Sequence, residues 1–311
     1  MDYEITRWVA GSSDEIAIDK ERFEQICTAK DGVLLGLELE ERLAFVLESY
    51  HEFEVELFAH GHRWALHEDW RWKSRQDEVF ALNRRLLNFL NAVAMYREHV
   101  EGEVKRRSSV PQDLEEEMIR ELNLAFEARC LLAVSLLRNY CQHQGLGFEG
   151  VGVTNARIQA TLGGDQPVER IFTSAVLAVR VADLSVRRNH PTQSLLTDLR
   201  AKKIEQWDPG PELREAVDSL TQLHSTLREY LAPKLELWQE QLNAVIREAE
   251  AAFGDIIGLC VVERRGRGNY GEPVQVFPEL LARIDELKKR NGGPTVLGNR
   301  IITSAPPLVR T

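Results

Sequence analysis

Residues 77–104 read DEVFALNRRLLNFLNAVAMYREHVEGEV. Within them Val79, Leu82, Leu86, Phe89, Leu90, Val93, Tyr96 and Val100 recur at intervals of three and four, the spacing that lays apolar side chains along one stripe of an α-helix. Charged residues occupy the other positions, so the stripe needs a partner surface to bury it. The run closes on Lys105-Arg106-Arg107, whose positive charge suits the negative end of a helix dipole. One long amphipathic helix of this kind predicts a helical bundle.

The same spacing continues on either side. Upstream, Leu43, Val46, Leu47, Tyr50, Phe53 and Leu57 predict a helix from Glu38 to about Ala59, with Gly61 as its stop. The segment before it, to about Gly36, has short apolar runs broken by Gly and Asp and reads as irregular with one strand. Downstream, Ser109 offers an N-cap, Pro111 a preset first-turn φ, and Asp113 with Glu115 to Glu117 an acidic first turn. A third helix therefore starts near Pro111, with Leu114, Met118, Leu122, Phe126, Ala133, Leu136, Leu137 and Tyr140 on its apolar face. Gly145 and Gly147 end it, as left-handed residues favoured beyond a helix C-terminus.

Between Phe148 and about Arg188 the period drops toward two (Val151, Val153; Ile158, Ala160, Leu162; Val176, Leu177, Val179, Val181), with a Gly163-Gly164-Asp165 turn, predicting a β-hairpin or small sheet. Asp208-Pro209-Gly210-Pro211 is a breaker and a helix start. From Leu213 to Ala249 the apolar stripe is the longest in the chain, and Pro233 inside it predicts a kink or a break into two helices. Ile256 to Val262 and Val274 to Phe277 read as strands around a glycine-rich turn, Pro278 to Lys289 as a short helix, and Gly292 to Thr311 as a tail. The expected fold is mainly α: a bundle of long antiparallel helices with an inserted β-hairpin and a C-terminal strand–helix element. It divides as 1–147, 148–210 and 211–311, compatible with one continuous domain.

Composition narrows the function. The chain has 311 residues, 43% of them hydrophobic, and a net charge of −10 from 39 basic and 49 acidic residues. Such a balance argues against non-specific coating of DNA, which draws its affinity from neutralised phosphates. No run of uncharged apolar residues is long enough to span a membrane, and the first nine residues are no secretory leader. Cys27, Cys130, Cys141 and Cys260 lie far apart among apolar neighbours, which suggests a reducing compartment and no zinc site, and so the cytoplasm. The P-loop, nucleophile-elbow, zincin and dinucleotide signatures are absent, and no cofactor is expected.

Three lesser features have bland readings. His60, His62 and His67 hold an H-x-H spacing that binds metal only if carboxylates close the site. His224 falls on a core-facing position, where a hydrogen-bonded interior histidine is expected. Arg264, Arg265 and Arg267 crowd a turn that could clamp phosphate, or form a solvated hairpin.

Leu137-Arg138-Asn139-Tyr140-Cys141-Gln142-His143 is different. An always-charged fork for phosphate and, five residues on, an imidazole that titrates near neutrality are the parts that metal-free RNA cleavage needs. With Asn139 directly after the arginine, the segment resembles the HEPN superfamily of helical-bundle proteins. Their motif is Arg, a polar residue, and His after four to six positions, here Arg138, Asn139 and His143; the resemblance covers roughly residues 77–150. It implies a metal-independent endoribonuclease of a bacterial defence or toxin system, with the site assembled in a homodimer. In such a site Arg138 would hold the scissile phosphate, Asn139 would orient Arg138 or the phosphate, and His143 would transfer protons. On a straight helix residues five apart lie about 140° from each other. Convergence of Arg138 and His143 therefore calls for a bend or an end of the helix inside the motif, or for a second copy. The competing reading is a non-catalytic helical scaffold or a regulatory module that binds RNA or protein.

Overall fold

Gly32, Gly36 and Gly61 do not interrupt the first helix. The computed structural model describes residues 2–9, 14–66, 72–143, 145, 147–148, 150–161, 167–186, 190–266 and 269–299. Along it run β1 (Asp2–Arg7), β2 (Glu15–Ile18), α1 (Lys20–Leu66), α2 (Trp72–Arg106), α3 (Gln112–Ala125), α4 (Arg129–His143), β3 (Gly150–Thr161) and β4 (Pro167–Arg180). Then come α5 (Gln193–Ala201), β5 (Gln206–Trp207), α6 (Gly210–Phe253), β6 (Leu259–Gly266), β7 (Asn269–Tyr270), β8 (Val274–Gln275) and α7 (Pro278–Asn291). The fold is mainly α with small antiparallel sheets, as the apolar spacing predicts. Two compact units divide it, each gathered from separate stretches of chain rather than from consecutive segments cut at 147 and 210.

The first unit comprises Met1–Ala44, Arg97–Leu122 and His224–Gly292. Its α1 and α6 segments run antiparallel, which Gly36 against Leu235, Gly32 against Trp238 and the Arg22–Glu248 ion pair trace from one end to the other. A Cβ on Gly32 would fall inside the Trp238 ring, and one on Gly36 would stand 2.9 Å from Leu235 Cδ1. These glycines serve close approach, and the surrounding turns supply enough hydrogen bonds to carry the helix through them. Pro233 likewise sits inside an uninterrupted α6 of 44 residues, so the predicted break into two helices does not occur.

At the ends of those helices, strands from both ends of the chain build one sheet, ordered β2-β1-β6-β7 with β8 also on β6. Ile5 pairs with Val261, and both are wholly buried. Alternation puts Tyr3 and Arg7 on the Ile5 face. There the Tyr3 ring meets Phe23 of α1 at 4.7 Å, and the Arg7 guanidinium lies over Phe253 of α6 at 5.9 Å. The N-terminal segment, read as irregular with one strand, is two strands and the start of α1.

Polar groups are also buried here. Glu40, 2% exposed, accepts Arg228 Nε and Nη2 at 2.6 Å each and Asn291 Nδ2 at 2.9 Å, while His224 Nε2 lies 3.4 Å from its Oε1. His224 is thus the interior histidine its position predicts. Burial raises the Glu40 carboxyl, but the hydrogen bonds of His224, Arg228 and Asn291 outweigh it and hold the group at about 2. His224 itself is pushed below its ordinary 6.5, chiefly by burial and only partly offset by Glu40.

The second unit comprises Phe45–Tyr96, Asn123–Leu223 and Gly293–Thr311. Within it α1 and α2 are antiparallel: Tyr50 packs on Phe89 with centroids 5.2 Å apart, Arg85 Nε donates to Glu56 Oε2 at 3.1 Å, and His60 Nδ1 lies 2.6 Å from Glu78 Oε2. The single helix predicted from Pro111 is two, α3 and α4, parted by a turn at Phe126–Ala128 in which Glu127 and Ala128 donate to Leu124 O and Ala125 O. No Gly or Pro marks the break. It falls beside residues 122 and 123, where the chain passes from one unit to the other. Cys130, Leu131, Ala133, Val134, Leu136, Leu137 and Tyr140 of α4 are buried, each large aliphatic contributing roughly 1.5–3 kcal/mol. The predicted hairpin is present as β3 and β4, paired from Gly150↔Ala178 to Thr161↔Pro167, with β5 added to β4 through Val179↔Trp207; its turn, 162–166, lies outside the described residues. The short α5 carries too few turns to stand out in the apolar spacing. Of the predicted C-terminal tail, 295–298 is held by Asp218 of α6, which accepts Thr295 Oγ1, Leu297 N–H and Gly298 N–H at 2.6–2.8 Å.

Two stability measurements follow. Helix propensity alone favours Ala over Gly by about 1 kcal/mol, whereas forcing a methyl into a filled core costs about 1–3 kcal/mol. Gly32→Ala is therefore expected to lower the denaturant midpoint; a raised midpoint would mean that Trp238 yields freely. Glu40 and His224 both bind fewer protons folded than unfolded, so their contributions are present at high pH and lost in acid. His224's fades as pH falls below 6.5, and Glu40's fades between 4.5 and about 2, the latter on the order of 3 kcal/mol. Denaturation across pH should show both declines, and Glu40→Gln should abolish the lower one; an unchanged acid limb in that variant would contradict the assignment.

Candidate functional site at the end of α4

The last two turns of α4 carry Arg138, Asn139 and His143, half-buried, half-buried and exposed in that order. Arg138 Nε donates to Asn91 Oδ1 of α2 at 3.2 Å. Asn139, one position on and so about 100° further around the helix, brings its Nδ2 to 3.4 Å from Nε2 of His190. His143 lies one turn beyond Asn139, at i+4 and on nearly the same face. The helix is regular through His143, so the bend or early end that would turn Arg138 and His143 onto one point within a copy does not occur. What shares a face is Asn139 and His143, with His190 facing Asn139 from the chain before α5.

His190 is itself held. Its Nδ1 lies 2.8 Å from Oγ1 of Thr192 and 3.3 Å from the Thr192 backbone nitrogen, and Thr192 is wholly buried. The Thr192 backbone N–H donates to Nδ1, so Nδ1 is the acceptor and the Thr192 hydroxyl is the donor in the shorter contact. In the neutral ring this puts the proton on Nε2, the atom the Asn139 amide approaches.

The exit from α4 fixes the frame. Gly145 N–H bonds Tyr140 O at 3.2 Å. Neither Gly145 nor Gly147 has the left-handed φ expected of a capping glycine; left-handed glycines occur at 254, 258, 266 and 292. Gly147 instead permits close approach, because a Cβ there would stand 2.9 Å from Leu86 Cδ2, 3.1 Å from Cys141 Sγ and 3.2 Å from Asn83 Oδ1. Asn83, 5% exposed, then accepts Phe148 N–H at 3.1 Å and donates to Phe148 O at 3.0 Å. Burial pushes the Cys141 thiol up to about 11, so it stays protonated at neutral pH and is no nucleophile.

The predicted arginine clamp is differently disposed. Arg264 and Arg265 belong to the first unit and Arg138 to the second. Arg264 Nη1 bonds Glu15 Oε2 at 2.9 Å and approaches Glu4 at 3.5 Å, while Arg265 Nε bonds Glu263 Oε2 at 2.9 Å. Their charge is met by carboxylates of the sheet, as the solvated-hairpin reading expects; Arg267 lies outside the described residues. His60 is engaged by Glu78, His62 stacks on Phe58 at 6.4 Å, and His67 lies outside the described residues. Among the described residues no group of His, Cys, Asp and Glu is arranged to hold a metal ion, and no helix is long and apolar enough to cross a membrane.

Sequence reasoning missed Asn91 and His190. Asn91 had a faint signal, an amide between the buried Leu90 and Ala92. His190 had none, standing 51 positions from Asn139 in a turn without periodicity. Compared with models of known protein families, with curated proteins and with solved structures, the chain matches none.

Proposed function

We propose that this chain is a metal-independent endoribonuclease acting in the cytoplasm, with the end of α4 as its working surface. The supporting observation is the sequence of exposures there: a guanidinium steadied by Asn91, an amide beside a second imidazole, and an open His143 one turn on. Arg138 would stabilise charge on the phosphate oxygens, as preorganised cations do. Asn139 would orient the phosphodiester and His143 would carry a proton, while the substrate's own 2′-hydroxyl attacks phosphorus to leave a 2′,3′-cyclic phosphate. Because Arg138 and His143 lie on different faces of α4, pairing of two copies across these helix ends is part of the proposal. One copy would then supply the guanidinium to the other's imidazole face.

One observation favours a second reading. The Arg138–Asn91 bond is also what a tie between two helices looks like, and in a scaffold or regulatory module it would be no more than that.

Incubation with mixed cellular RNA in chelator separates the two. Wild-type protein should yield cyclic-phosphate and 5′-hydroxyl ends and leave DNA intact, and His143→Ala should be slower by about 100-fold or more. Undiminished cleavage by His143→Ala in a clean preparation, or no cleavage by wild type, would leave the scaffold reading.

A further inference from the structure

We infer that His190 is a positioning residue of this site: its Nε2–H holds the Asn139 carboxamide by the oxygen and turns the amide N–H pair toward substrate, so that Asn139 donates to a non-bridging phosphate oxygen of the strand. The inference rests on the endoribonuclease reading above. An asparagine in this place has two uses, as an acceptor for the Arg138 guanidinium or as a donor to the phosphate, and the motif alone leaves both open. The fold supplies the group that decides between them.

The backbone places the proton on His190. A main-chain N–H is only a donor, so the Thr192 N–H at 3.3 Å makes Nδ1 an acceptor, and the Thr192 hydroxyl at 2.8 Å donates to the same atom. Thr192 is wholly buried, and Gln193 N–H bonds His190 O at 2.9 Å, so the ring is gripped from the start of α5. In the neutral ring Nε2 then carries the hydrogen, and Nε2 lies 3.4 Å from the nitrogen end of the Asn139 amide. A donor there calls for an acceptor. The two ends of a carboxamide have nearly the same shape, so the amide turns over in place and sets Oδ1 against Nε2–H.

With Oδ1 engaged, Nδ2 and its two N–H groups are directed away from His190, on the α4 face that ends in the exposed His143. Two N–H donors suit an oxygen that can only accept, as in a phosphodiester anion, and an amide held in advance needs no reorganisation on meeting it. The guanidinium has an orienting acceptor of its own, Asn91 Oδ1 at 3.2 Å from Arg138 Nε. It does not depend on Asn139 for its aim, which frees the amide to serve the phosphate. His190 carries no proton to or from the substrate in this scheme.

Two measurements test the inference, and the first needs no activity. Long-range proton–nitrogen correlation spectra of the intact labelled chain at mildly alkaline pH distinguish the two imidazole tautomers, and the expected result is Nε2–H on His190. A hydrogen on Nδ1 would overturn the inference and leave the nuclease reading standing. Single-turnover cleavage of an RNA oligonucleotide then reads the role. Asn139→Ala should be slower by about 100-fold, and Asn139→Asp, which keeps an acceptor for His190 but has no N–H to give, by at least as much. His190→Phe should lose about tenfold with its pH profile unmoved. His190→Gln, whose amide donates from the place of Nε2, should recover most of that, and His190→Phe should add no loss on top of Asn139→Ala. Wild-type rate in Asn139→Asp or His190→Phe, a His190→Phe profile stripped of a limb, or losses that multiply in the double variant would each overturn the role of His190 without touching the nuclease reading. Should His190→Phe fold poorly, the wild-type spectrum and Asn139→Asp still decide. A wild-type protein that cleaves no RNA would overturn both.

Discussion

Two amides on α2 decide where α4 ends and what its last turns face. Asn83 satisfies both the N–H and the C=O of Phe148 in a buried environment, where an unpaired backbone group would cost about 1–3 kcal/mol. Asn91, two turns along, takes Arg138 Nε. With the chain beyond α4 pinned and Gly147 drawn against Leu86, the helix has no freedom to continue, and the Asn139–His143 face is left open toward the chain before α5. The chemistry proposed for this end of the molecule depends on that clamp, because catalytic groups work only when their geometry is set before substrate arrives.

The apolar stripes were legible because a helix repeats its contacts every three or four residues, and α2, the core of α6 and the hairpin emerge from periodicity alone. The glycines of α1 were not. The same residue type serves as a helix stop and as a point of close approach, and what separates the two uses at Gly32 is Trp238, some two hundred positions away. The break between α3 and α4 has no Gly or Pro to announce it. The sheet of the first unit was only half visible, since β1 pairs with β6 across most of the chain's length and neither strand is long enough to declare its partner.

The site followed the same rule. Arg138, Asn139 and His143 could be named because they lie within six consecutive residues. Their facing partners could not, because Asn91 and His190 reach them across 47 and 51 positions through tertiary packing. The arginine-rich turn shows the converse. Local sequence displays positive charge at Arg264 and Arg265, but register places Glu4, Glu15 and Glu263 beside them. In a chain with ten more acidic than basic residues, a run of arginines is more readily a partner for carboxylates than a cradle for phosphate.

Whether the open face of α4, where Asn139 and His143 lie, receives an RNA strand decides the proposed chemistry. The most direct measurement is the proton resonances of the His143 and His190 rings as an oligoribonucleotide with a single 2′-deoxy position, which cannot be cleaved there, is titrated into the protein. The account predicts that both rings shift together and saturate at the same concentration, with the other histidines unmoved. Resonances of His143 and His190 that stay in place while the oligonucleotide binds elsewhere, or fails to bind, would contradict it.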